Sequence, residues 1–270
     1  MIRMIATDLD GTLLSEKSNI PERNIHALQR AMQAGVKVVL ASGRMIEATL
    51  PIAEKIGVNA PMVVLNGAML YDPAADRILA GSAIPCETAR AILEFLEARS
   101  IYVHAFPGRR FYYEKRCAWT EYYENKISVT GVETGVPLSR WLSADVYKLL
   151  CLGQPTELDV LIPELQQKFP QVSFVKSGLQ HLEIILRGVD KGTGMARLCE
   201  ICNIAPEEVL AFGDEENDLP LISFASTSYV MENAPESVRR TAQRIAPRNT
   251  DCGVARIVEL YLNEKRMGGA

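Results

Sequence analysis

The chain has 270 residues, 48% of them hydrophobic and 23% charged, with a formal net charge of −4 at pH 7. That length suits one large domain with an insertion, or two domains, and the composition excludes disorder over most of the chain. The acidic balance, with no dense Lys/Arg block, argues against nucleic-acid binding, and no apolar stretch approaches the roughly 20 residues that cross a bilayer.

The first apolar run, residues 2–7, is too short for a signal peptide and reads as a β-strand. With no targeting segment in view, the expected location is cytoplasmic. The strand ends in Asp8-Leu9-Asp10-Gly11-Thr12. Two carboxylates one residue apart lean to the same side of the strand end. Their crowded charge implies a bound metal, a proton-sharing pair, or both. A calcium loop fits poorly, because Gly11 falls two positions early and Asn19 stands where the closing Glu belongs.

Residues 21–33 place Ile25, Leu28 and Met32 at helical spacing, and Gly35 reads as the stop. A strand over 36–41 ends in Ser42-Gly43-Arg44. The helical pattern at 45–56 contains Pro51 and is expected to kink or break there. A third strand, 61–65, ends in Asn66-Gly67, and residues 69–79 read as a hairpin. From about 83 to 186 the texture changes to a mixture of short strands and helices, the pattern of an α+β domain with its own antiparallel sheet. An aromatic helix there carries Trp119, Tyr122 and Tyr123. After Asp190-Lys191-Gly192 the βα alternation returns, with a helix at 193–201. The strand at 209–212 ends in Gly213-Asp214-Glu215-Glu216-Asn217-Asp218. A strand at 228–231, a helix after Pro235 and a helix over 254–263 follow, and residues 266–270 are expected to fray.

Cysteines 86, 117, 151, 199, 202 and 252 are scattered, and the three histidines lie far from the single C-x-x-C. They read as reduced thiols and not as a zinc site. His26 reads as a surface or partly buried helix residue. His104, Arg109 and Arg110 are expected in exposed loops, where they are candidate substrate contacts. The aromatics Tyr112, Tyr113, Trp119, Tyr122 and Tyr123 read as domain core ahead of a substrate surface.

Four apolar strands thus end in polar groups: Asp8 and Asp10, Ser42 to Arg44, Asn66, and Asp214 to Asp218. Ligands of an open parallel sheet bind beyond the carboxyl ends of its strands, so these endings are candidates for one shared site. Taken singly, Ser42 reads equally as a helix N-cap, Lys191 as a solvated lysine, and Asp214 or Asn217 as a cap near Glu216.

Together these endings and Lys191 resemble the four ordered motifs of the haloacid dehalogenase (HAD) superfamily of phosphatases, and most nearly its Cof-type, sugar-phosphatase-like branch. The resemblance spans essentially the whole chain. It implies an α/β fold with a Rossmann-like parallel-sheet core over 1–82 and 187–270, and an inserted α+β cap domain over 83–186. The cap would open to admit substrate and close to exclude water. Asn66-Gly67 and Asp251-Cys252-Gly253-Val254-Ala255 also look like branch features. Pro220 and Glu232 depart from the usual branch pattern, but neither touches the catalytic groups.

By the same resemblance the chain is a Mg²⁺-dependent phosphatase of small phosphorylated metabolites. Asp8 would be the nucleophile and Asp10 the general acid and base. Ser42, Gly43, Lys191 and Asn217 would bind the phosphoryl group, with Asn217 acting on it directly or through Lys191. Asp8, the carbonyl of Asp10 and Asp214 would ligate the metal, and Asp218 would be a further ligand or a support. The residue types suit this chemistry, because a cation must lie between an anionic ester and a carboxylate nucleophile. A phosphomutase or phosphotransferase and a non-catalytic phosphometabolite sensor are the alternatives. A monomer or small homo-oligomer, without nucleic-acid or membrane partners, is expected.

Overall fold

The computed structural model describes residues 1–15, 19–264 and 266–268. The chain divides into two compact units, one of Met1–Gly43, Thr49–Ala80 and Asp190–Ala270, the other of Arg44–Ala48 and Gly81–Val189. In chain order the first stretch holds β1 (Met4–Thr7), α1 (Glu22–Gln33), β2 (Lys37–Leu40), α2 (Ile46–Ile56), β3 (Met62–Val64), β4 (Met69–Asp72) and β5 (Arg77–Gly81). The middle stretch holds α3 (Cys86–Glu97), β6 (Tyr102–Phe106), β7 (Tyr112–Tyr113), α4 (Ala118–Ile127), β8 (Val132–Glu133), α5 (Leu138–Trp141), β9 (Lys148–Leu152), α6 (Pro155–Lys168), β10 (Val172–Gly178) and β11 (His181–Leu186). The chain then returns through α7 (Lys191–Cys202), β12 (Val209–Gly213), α8 (Leu219–Phe224), β13 (Thr227–Met231), α9 (Glu236–Arg239), β14 (Ile245–Ala246) and α10 (Gly253–Asn263).

In the first unit, β1 lies at the centre of a parallel sheet ordered β14-β13-β12-β1-β2, with Thr7 opposite both Leu40 and Phe212. A parallel bridge from Ala41 to Val63 continues this order towards β3, which belongs to the antiparallel sheet β3-β4-β5. All four residues of β1 and all five of β12 are buried, as strands covered on both faces must be. With every side chain of these strands committed to packing, the only places left for chemistry are the loops after their carboxyl ends.

The second unit is an antiparallel sheet ordered β10-β11-β9-β6-β7-β8, apart from a parallel β7–β8 pair. One face is apolar. Val103, Ala105, Leu149, Cys151, Leu182 and Ile184 pack there with Ile92 and Leu96 of α3 and Leu158 and Leu165 of α6. The other face carries His104, Lys148, His181 and Glu183, all buried. No helix among the described residues is long and apolar enough to cross a membrane.

Several expectations change. Helix α2 runs through Pro51 without a break. A proline in its second turn lacks only one hydrogen bond, that to the carbonyl four residues earlier, and the helix tolerates the loss. The terminal segment is anchored at Met267, which is buried and bridges to Ile2. Residues 269 and 270 of that expected frayed tail lie outside the described residues. His26 is exposed on α1, and all six cysteines are free.

Candidate active site

Asp8 follows β1 directly, and the turn Leu9–Leu13 bends the chain away from the sheet. The bend occurs at Gly11, whose φ of +78° is costly for any side-chain-bearing residue. A Cβ at Gly11 would also lie 2.0 Å from Asp214 Oδ2, so only glycine lets the two loops meet. Thr12 then donates its hydroxyl to Asp214 Oδ1 at 2.7 Å. Asp10 is exposed on this turn, while Asp8 is buried at its base.

Lys191 opens α7 just after Asp190, whose side chain accepts from the Thr193 N–H at 2.7 Å and caps the helix. The lysine is only 1% exposed, far from the solvated side chain that its sequence context alone suggests. Its ammonium donates to Asp8 Oδ1 and to Asp218 Oδ1, each at 2.6 Å. The other Asp218 oxygen accepts the N–H groups of Asp214 and Glu215 at 2.9 and 3.0 Å. Asp218 therefore has both oxygens engaged in holding the lysine and the backbone of the loop after β12. Asp218 thus ties the loop together, and the cap position ahead of Glu216, for which the sequence offers Asp214 or Asn217, is held by Glu215.

Ser42 is buried after β2 and lies four residues ahead of α2, outside the N-cap position. Its carbonyl accepts from the Asn66 N–H at 3.0 Å, and its own N–H donates to Val63. Asn66 adopts a left-handed conformation, and its Oδ1 accepts from Asn217 Nδ2 at 3.0 Å. Gly67 abuts α7 so closely that a Cβ there would fall 2.0 Å from the Asp190 carbonyl. The loops after β1, β2, β3 and β12 thus meet around the start of α7.

Asp8, Asp214 and Asp218 each offer an oxygen, and these atoms lie within 4.8 Å of one another. Against three acids stands one ammonium. Burial pulls Lys191 down, but Asp218 and Asp8 outweigh it and hold the ammonium charged. Burial drives Asp8 well above the ordinary carboxylate range, partly countered by Lys191. Burial and then Asp218 push Asp214 up to about 7. The cluster is short of positive charge.

The second unit corrects one candidate. His104 is not in an exposed loop; it sits on β6, fully buried among the rings of Phe111, Tyr123, Tyr102 and Tyr113. Neither of its ring nitrogens has a hydrogen-bond partner among the described residues. Arg109 and Arg110 are exposed. Tyr113 and Tyr123 are buried, whereas Tyr122 is exposed and Tyr112 and Trp119 are intermediate. Sequence reasoning missed Asn24, Asn233 and Asn249, which hold the Leu9–Leu13 turn from behind. Asn24 carried a usable signal, since it shares a helical face with Leu28 and Ala31 and is therefore a polar residue in an apolar stripe.

The fold has counterparts among known proteins. The model of the haloacid dehalogenase-like hydrolases matches residues 5–258. A crystal structure of a Thermotoga maritima protein superposes with a TM-score of 0.85 at 32% identity, covering 96% of this chain and 97% of that one. A haloacid dehalogenase-like hydrolase from Bacteroides thetaiotaomicron gives a TM-score of 0.87 at 27% identity, covering 96% and 99%. Among curated proteins, the 5-amino-6-(5-phospho-D-ribitylamino)uracil phosphatase YitU of Bacillus subtilis is 25% identical, covering 96% of this chain and 97% of its own. The pyridoxal phosphate phosphatase YbhA of Escherichia coli is 27% identical, covering 96% and 98%. The chain belongs to the haloacid dehalogenase-like hydrolase family. Within it the enzyme class is that of the phosphatases, the phosphoric monoester hydrolases.

Proposed function

We propose that this enzyme hydrolyses phosphate monoesters of small metabolites, sugar phosphates or similar, with Mg²⁺ and through an aspartyl-phosphate on Asp8. The observation that carries the reading is the gathering of Asp8, Asp214 and Asp218 around one buried ammonium. With all three carboxylates ionised, they and one lysine leave two negative charges in excess, which a dication would balance. The donors are all oxygen, as Mg²⁺ prefers. Asp8, the carbonyl of Asp10 and Asp214 would hold the ion. Asp218, with both oxygens already engaged, would support Lys191 and the loop after β12. When bound, the ion neutralises charge between the carboxylate nucleophile and the anionic ester.

An Asp8 carboxylate oxygen attacks phosphorus, forming an Asp8–phosphate bond while the ester P–O bond breaks. Asp10 gives its proton to the departing oxygen. In the second half, Asp10 takes a proton from water, whose oxygen attacks phosphorus, and inorganic phosphate leaves with Asp8 restored. The exposure of Asp10 supports this role, since that carboxyl must reach both a leaving group and water. Ser42, Gly43, Lys191 and Asn217 bind the phosphoryl oxygens, so that charge developing there meets fixed donors. The phosphorylated small molecules named for the Bacillus subtilis and Escherichia coli relatives support the substrate class.

The test is release of phosphate from p-nitrophenyl phosphate and from a panel of phosphorylated metabolites. Turnover should require Mg²⁺, vanish with EDTA, and fall at least about a thousandfold in Asp8→Asn. Activity that survived Asp8→Asn would overturn the nucleophile. A wild type inert across the whole panel would favour the sensor.

A further inference from the structure

Behind the Leu9–Leu13 turn, three of the four carbonyls from Gly11 to Leu14 are each held by an asparagine from a different part of the chain. Asn233 Nδ2 donates to the Gly11 carbonyl at 2.8 Å. Asn24 Nδ2 donates to Leu13 at 3.0 Å, and Asn249 Nδ2 donates to Leu14 at 2.8 Å. The Thr12 carbonyl alone is skipped. The asparagines are themselves fixed, because the Oδ1 of Asn233 accepts from the Asn249 N–H at 3.0 Å and that of Asn24 from the Ala255 N–H at 3.1 Å. Ala255 is the third residue of α10, so Asn24 also satisfies an N–H that has no partner within its own helix. Gly253 lets α10 begin this close, since a Cβ there would fall 1.9 Å from the Pro247 carbonyl.

We infer that Asn233, Asn24 and Asn249 form a clamp that positions the nucleophile turn for the chemistry proposed above, on which this inference rests. The turn bends at Gly11, a residue with wide conformational freedom. Left alone, it would sample many peptide orientations, and both the Asp10 carbonyl and the Thr12 hydroxyl would wander with it. Fixing the Gly11 carbonyl fixes the peptide plane between those two groups. Thr12 then stays on Asp214, and Asp10 stays aimed as a proton donor. The clamp assigns a task to two segments that the catalytic roles leave unused. One is Met231-Glu232-Asn233-Ala234, and the other is the turn and helix start from Asn249 to Ala255. An amide suits the task, since a single Asn both donates to a carbonyl and accepts an N–H, which neither Asp nor Leu can do.

Asn233 is partly exposed, so Asn233→Ala is expected to fold. Asn233→Asp keeps the acceptor for Asn249 and puts an anionic oxygen in place of the donor to Gly11. Two measurements on the full-length protein test the clamp. Amide hydrogen exchange in the peptide spanning residues 9–15 should speed up about tenfold in both variants, with the peptides of the first unit away from residues 9–15, 231–234 and 247–255 unchanged. With p-nitrophenyl phosphate and saturating Mg²⁺, kcat should fall about tenfold in both while KM stays within twofold. Unchanged exchange overturns the clamp, and faster exchange with wild-type kcat overturns its catalytic role. A wild type without turnover defeats the function proposed above, while the exchange comparison still judges the clamp.

Discussion

His104 should make the second unit acid-sensitive. In the folded chain the ring is fully buried, has no hydrogen-bond partner among the described residues, and lies among four aromatic rings. Burial pushes its pKa from 6.5 down to about 3, with smaller contributions from His181 and Lys148. The same shift, again led by burial and then by Lys126 and Lys148, takes His181 to about 3. The Lys148–Glu183 ion pair beside them, at 3.2 Å, supplies one cation and one anion. Below pH 6.5 the unfolded chain takes up a proton at each histidine and the folded chain does not. Stability therefore falls as pH drops from 6.5 towards 3, and levels off below that. At about 1.4 kcal/mol per pH unit, His104 alone costs about 3 kcal/mol at pH 4.5 and about 5 kcal/mol at the plateau. Both tryptophans, Trp119 and Trp141, belong to the second unit, so intrinsic fluorescence follows its unfolding separately. Urea unfolding of wild type and His104→Leu between pH 7.5 and 4.5 gives the comparison. The variant should be at least as stable at pH 7.5, because two unpartnered buried nitrogens are gone. It should then lose about 3 kcal/mol less than wild type on going to pH 4.5. Parallel pH profiles would refute the burial argument.

Gly11→Ala should lower kcat at least tenfold, because its φ of +78° and the 2.0 Å approach to Asp214 cannot both persist with a Cβ; steady-state kinetics at saturating Mg²⁺ checks this. Lys191→Ala leaves Asp8 and Asp218 buried without their cation. A stability loss of about 3–5 kcal/mol is expected in urea unfolding without Mg²⁺, with part of it recovered when Mg²⁺ is added. Asn24→Ala strips partners from the buried Leu13 carbonyl and Ala255 N–H together. It should cost about 2–4 kcal/mol by the same measurement.

The parallel core was legible because buried strands are short apolar runs, and here each run stops at a polar group. Asp8, Ser42, Asn66 and Asp214 could be placed at strand ends on that basis alone. The neighbours of each group were not legible. Nothing local to Lys191 says that two carboxylates from distant segments meet it, or that Asp218 would spend both oxygens on support. The antiparallel unit was read at the level of elements and misread at His104. A histidine in Tyr102-Val103-His104-Ala105-Phe106 alternates with apolar residues onto the less apolar face of its strand, which looks exposed until α4 and the aromatic strand β7 are known to cover it. Of the kink or break expected at Pro51, no break occurs, since a proline inside a helix removes one hydrogen bond and the rest of the helix can hold its ends together.

The pairing of β1 has a consequence for how the chain is made. Met4 lies opposite Val209, so the central strand of the first sheet finds one neighbour within the first forty residues and the other some two hundred residues later. At a synthesis rate of roughly 5–20 residues per second, that is a wait of roughly 10–40 s. During it an apolar strand has one edge open. The antiparallel unit has all its strands between residues 102 and 186 and is complete well before β12 emerges. Translation therefore delivers a finished insert flanked by an unfinished host, and Asp8 cannot acquire its Lys191 contact until synthesis has entered the last third of the protein.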